Sequence, residues 1–243
     1  MLFKVEWVCR LFHFNKIEED AAIALIKMQG NHKLYETMMG RNTNFRYSDL
    51  SSAFQDSNPL RYFKRIFGKG DIAIPERIKN EKPILNLTTH SLLSRIDPIV
   101  SALESSVLFI EVVRHPLYMV KQQTLNMDRL LDNPRDISIN IEYQGSQLPG
   151  YAHGWEEQFI NCNSMEKAIY VIEKETKSTN IKRQFLEQNE NFSMLTIPFE
   201  KFVIDPWPYL KKIETKLGTR AVSYTHLRAH ETVLDLVCRL LLE

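Results

Sequence analysis

An apolar run, Val107-Leu108-Phe109-Ile110-Glu111-Val112-Val113, stops abruptly at Arg114-His115-Pro116. β-Branched and aromatic residues in such a run make a buried strand. Pro116 then makes a helix start, because its fixed φ is already helical and its missing N–H would lack a partner there anyway. A strand that passes directly into a helix does not close a hairpin with the next segment. It needs a crossover to reach a parallel neighbour. The junction therefore points to an α/β chain with a parallel sheet and flanking helices.

The neighbouring segments repeat that rhythm. Pro83-Ile84-Leu85-Asn86-Leu87 reads as an earlier strand, followed by a helix from about Asp97, which can cap it, with Pro98 at its first position. Ser193-Met194-Leu195-Thr196-Ile197 reads as another buried strand, and Tyr209 to Leu217 as an amphipathic helix stopped by Gly218. Between them, Ile137, Ile139 and Ile141 alternate like a strand and Gly145 permits a hairpin. Helices resume near Gly154-Trp155-Glu156-Glu157, near Ser164, and across 177–188. Trp155 fits a core better than an acceptor pocket shared with Tyr151 and His153. Residues 1–80 read as mostly helical. Asn15 and Glu18 have the spacing of a capping box, Asn58-Pro59 opens a further helix, and Phe67-Gly68-Lys69-Gly70 makes a turn.

Charge narrows the partners. The 243 residues carry 31 Lys and Arg against 30 Asp and Glu, so no overall basic surplus argues for nucleic acid or an anionic membrane. A local basic cluster can still bind an anionic ligand. Cys9, Cys162 and Cys238 are too scattered for a disulfide framework or a metal spacing. A reducing, cytoplasmic compartment is the default expectation. No apolar run approaches the roughly 18 residues that would cross a bilayer.

The chemistry concentrates at the strand-to-helix junction. Ligands of α/β sheets bind at the carboxyl ends of the strands. A helix N-terminus adds unpaired N–H groups and a positive dipole end, both suited to phosphate. Arg114 there either grips a phosphate with two parallel hydrogen bonds or pairs with a nearby carboxylate.

The stretch from Phe109 to Val120 resembles the 3′-phosphate-binding motif of sulfotransferases, in which a strand ends in Arg-Asp-Pro and a serine follows eight residues after the arginine. Arg114 and Pro116 match that pattern; His115 stands where Asp or Asn is common, and Gln122 stands at the serine position. Gln122 can still donate a hydrogen bond to phosphate. Three further stretches resemble the family in the right order. Pro83 to His90 is similar to a strand ending in Lys-Thr-His, with Thr88 in place of the lysine and His90 matching the general base. Met194 to Phe202 is similar to a strand followed by Arg-Tyr-Glu-Asp-Leu. The helix 209–217 with Gly218 resembles the family's closing helix.

The resemblance, over roughly 83–218, implies a three-layer parallel sheet with flanking helices, the P-loop NTPase-like sulfotransferase fold. It implies 3′-phosphoadenylyl sulfate as co-substrate, no metal, and a small-molecule or glycan acceptor. His90 would deprotonate the acceptor, while Arg114 and Gln122 would bind the nucleotide.

Nothing before residue 80 matches the family's Gly-rich 5′-phosphosulfate loop. The expectation is a partial domain over 1–220, incomplete at both ends and inactive as it stands. From Val222 to Glu243 the sequence resembles a translated sequencing adapter, so 221–243 is expected to be an artefactual tail. His226, His230 and Glu231 then carry no metal chemistry, despite the i, i+4 histidine spacing. Two other readings stay open: a fragment of a nucleotide-binding, kinase-like α/β protein, and a non-catalytic interaction module.

Overall fold

The computed structural model describes residues 5–41, 43–49, 52–56, 58–70, 72–129 and 139–219. The adapter-like tail, with His226, His230 and Glu231, lies outside the described residues, as does Ile137. Contacts divide the chain into two units, Met1–Thr89 and His90–Glu243.

The first unit is helical: α1 Val5–His13, α2 Glu19–Met39, α3 Leu60–Ile66 and α4 Ala73–Glu81. Val8, Cys9, Ala22, Ile26, Met38 and Ile74 are its most buried apolar residues. The expected capping box is not formed. Asn15 takes a positive φ in the turn after α1, and α2 begins after Glu18 with no side-chain cap. Gly40 ends α2 in the left-handed conformation, its N–H bonded to the Thr37 carbonyl at 3.2 Å. Arg77 donates to the Met38 carbonyl at 2.7 Å, and Arg65 to Glu81 at 2.6 Å.

The segment Pro83–Leu87 is extended coil rather than the expected strand. Ile84, Leu85 and Leu87 are exposed. An apolar run expresses a demand for burial, but a strand forms only where a neighbouring ladder is within reach.

The second unit is mixed α/β. Its elements are α5 Asp97–Leu103, β1 Leu108–Val113, α6 Pro116–Arg129, β2 Asn140–Tyr143, β3 Ser146–Pro149, α7 Glu156–Asn161, α8 Ser164–Gln188, β4 Ser193–Pro198, α9 Phe199–Ile204 and α10 Trp207–Leu217. β1 and β4 pair in parallel, from Leu108 opposite Ser193 to Val113 opposite Pro198. β2 and β3 form the expected hairpin around Gln144 and Gly145. Both turn residues have positive φ, 49° and 76°, the geometry that matches the twist of the flanking strands. The stretch from Ser164 through 188 is one continuous helix, opened by a reciprocal cap between Asn163 and Glu166 at 3.0 and 2.9 Å.

Two features hold this unit together. Trp155 sits in an apolar cluster with Leu148, Ala152, Phe159 and Val171, and its indole N–H donates to the Tyr151 carbonyl at 2.7 Å. Trp155 is therefore core. The long helix α8 packs on α6 and β4 and also reaches β1 and the segment before it through ion pairs. Arg183 grips Glu111 of β1 with two bonds of 2.6 and 2.8 Å. Arg95 pairs with Glu175, to which Ser94 also donates at 3.1 Å, and Lys182 pairs with Asp97. Glu111 faces the helix layer, whereas Ile110 and Val112 on the other face of β1 are 43% and 42% exposed. Among the described residues no helix is long and apolar enough to cross a membrane.

The Arg183–Glu111 pair is partly buried on both sides. Removing one partner leaves the other charge poorly solvated. Arg183→Ala is expected to cost about 2 kcal/mol, measured by urea unfolding. The double replacement Glu111→Leu with Arg183→Met should recover most of that loss.

Candidate functional site

β1 and β4 run in register to their last residues, so both deliver a helix start at the same edge of the sheet. β1 continues through Arg114 and His115 into α6, while β4 passes directly into α9. This alignment brings Arg114 against Phe199, and His115 against Glu200, across 85 residues of sequence.

Phe199 is buried, and the Arg114 guanidinium carbon lies 5.1 Å from its ring centroid. A guanidinium over an aromatic face is held by the ring's negative quadrupole. The packing buries Nε of Arg114 without any hydrogen-bond partner. A donor kept from water and unpaired costs on the order of 1–3 kcal/mol. An acceptor oxygen brought to it would recover that cost.

Glu200 supplies negative charge beside the arginine. Its Oε1 accepts the His115 backbone N–H at 2.9 Å. That bond, the one from its own N–H, and the nearby Arg114 and His115 hold its carboxyl below the usual glutamate range. The first backbone donors of α6 are also engaged within the chain. Leu117 N–H donates to Nδ1 of His115 at 3.3 Å, and Tyr118 N–H to the His115 carbonyl at 3.0 Å. The helix start thus offers fewer free donors than its sequence suggests.

Arg114, His115, Phe199 and Glu200 form one cluster. His90 is half-buried in the bend that precedes the 3-10 turn Leu93–Arg95, at the head of the second unit. Gln122 is exposed, about 9 Å along the α6 axis from Pro116, and donates to Asn126 at 3.2 Å. Phe199 and Glu200 were visible in sequence only as the stretch after a strand. The signal that could have found them was that two apolar strands of similar length each run straight into a helix. Among the described residues no group of three or more His, Cys, Asp or Glu side chains could hold a metal ion. Comparison with protein-family models, curated proteins and solved structures gives no match.

The depressed Glu200 carboxyl links this cluster to stability. A carboxyl whose folded pKa lies below its unfolded value of about 4.3 stabilises the fold above that value. The contribution is lost as pH falls through the folded pKa. Wild type should therefore unfold at a higher denaturant concentration than Glu200→Gln at pH 7, and the two midpoints should converge in strong acid. Chemical denaturation at both ends of that range checks it.

Proposed function

We propose that this chain is a sulfotransferase-type protein that grips the 3′-phosphate of 3′-phosphoadenylyl sulfate with Arg114. The observation that carries the reading is the buried, unpartnered Nε of Arg114 at the carboxyl end of a parallel strand. A phosphate has oxygens to accept from both Nε and a terminal nitrogen of one guanidinium, the geometry in which arginine binds most tightly. The resemblance of Arg114 to Pro116 and of Met194 to Phe202 to the family's motifs supports the same reading. So does the way the parallel pair joins those two stretches.

The three-layer, P-loop-like sulfotransferase fold belongs to the same proposal. Parallel sheets are normally covered on both faces, and the apolar exposed face of Ile110 and Val112 is one that a further layer would cover. In this reading Gln122 reaches back from α6 as an additional donor to phosphate. His90 takes the proton from an acceptor hydroxyl or amine as that atom bonds to sulfur. The bond from sulfur to the donor's phosphate oxygen breaks, and adenosine 3′,5′-bisphosphate leaves with the electron pair. Imidazole suits the base role because it titrates near neutral pH.

A non-catalytic module is the second reading. Glu200 favours it, because its carboxylate already places negative charge beside Arg114.

Calorimetric titration of the full chain with adenosine 3′,5′-bisphosphate separates the two. The sulfotransferase reading expects measurable affinity that Arg114→Ala weakens by about tenfold or more, the value of a charged hydrogen-bond pair. His90→Ala should leave that affinity within about twofold, since a base touches the acceptor rather than the 3′-phosphate. Absent affinity, or affinity indifferent to Arg114, sinks the proposal.

A further inference from the structure

The strand-end cluster contains a carboxylate of its own. Glu200 lies in the first turn of α9, and its Oε1 accepts the His115 backbone N–H at 2.9 Å. That N–H, the N–H of Glu200 itself and the nearby Arg114 and His115 keep the carboxyl ionised below the usual glutamate range. The contact exists because β1 and β4 end in register, which sets the start of α9 beside the junction of β1 with α6. The start of a helix carries partial positive charge and favours an anion. Glu200 is thus an anion already in place, beside a guanidinium whose Nε is buried without a hydrogen-bond partner.

A phosphate approaching Arg114 meets this carboxylate in two ways. Glu200 takes up the His115 N–H, the backbone donor that follows Arg114 directly in the chain. Its negative charge also repels a second anion, the more so where water is partly excluded. Within the chain itself the same contact is favourable, because it pairs a backbone donor and sets a negative charge beside the guanidinium. Glu200 therefore stabilises the fold and opposes an anionic ligand at the same edge. Sites that bind ligands commonly show such a conflict between stability and function.

We propose that Glu200 is a built-in competitor at the Arg114 site, and that a phosphate monoester binds there by displacing the Glu200 carboxylate from the His115 N–H. The proposal rests on the reading of Arg114 as a phosphate anchor and adds the residue that sets how tightly the anchor holds. Displacement exchanges one hydrogen bond for another at the same N–H. Glu200 is half-buried, so its released carboxylate can turn to water. The sign of the effect separates this role from a merely structural one. Loss of a positioning contact lowers stability and affinity together, whereas loss of a competitor lowers stability and raises affinity.

Calorimetric titration of the full chain with adenosine 3′,5′-bisphosphate at pH 7 tests it, with urea unfolding of the same variants. Glu200→Gln can keep the hydrogen bond but not the charge, and should tighten binding about threefold. Glu200→Ala also frees the N–H, and should tighten it about tenfold, the value of one hydrogen bond to a charged group. Both variants should unfold at lower urea than wild type. Arg114→Ala added to Glu200→Ala should remove the gained affinity. Glu142→Gln, at an exposed carboxylate of β2, controls for net charge and should leave the affinity unchanged. If wild type binds and both Glu200 variants bind equally or more weakly, the competitor role is overturned while the Arg114 reading stands. A gain on Glu142→Gln as large as on Glu200→Gln also overturns it. No binding by wild type or any variant removes both proposals.

Discussion

The parallel pairing of β1 with β4 is the constraint on which the second unit depends. The two strands are far apart in sequence, and their register runs without a break from Leu108 opposite Ser193 to Val113 opposite Pro198. A one-residue slip would exchange the two faces of one strand and take Glu111 away from the helix layer. It would also separate Arg114 from Phe199 and His115 from Glu200. The strand-end cluster is therefore a consequence of ladder register rather than of local sequence.

Helix α8 enforces that register from one side. Its arginine at position 183 meets Glu111 in the middle of β1, and Glu175 and Lys182 secure the segment leading into the strand. Ion pairs of this partly buried kind add modest stability, but they are selective, because a displaced carboxylate would lose its solvation without gaining a partner. The Trp155 cluster provides the apolar burial at the hairpin end of the same helix. Burial of apolar surface supplies most of the driving force. The charged pairs choose among the compact arrangements that burial would allow.

The strand-end edge shows how a helix start can be partly neutralised by its own chain. Glu200 accepts the His115 N–H, and the His115 ring nitrogen accepts the Leu117 N–H. These contacts take up backbone donors at the start of α6, while Nε of Arg114 beside them is buried without a hydrogen-bond partner.

Local information was largely legible in the sequence. The strand at 108–113, the helix opened by Pro116, the Gly145 hairpin, the core role of Trp155 and the Gly218 helix stop all derive from residue types whose backbone or burial preferences act within a few positions. The Asn15 cap and the Pro83–Leu87 strand fail for one reason. Each has the right composition, but a cap needs the helix to begin at a particular residue, and a strand needs a neighbour. The placing of Glu200 beside Arg114, and the burial of one guanidinium nitrogen against Phe199, could not be read from spacing. Both arise from a contact between distant strand ends, and side-chain periodicity records which face a residue prefers but not which distant residue will share it.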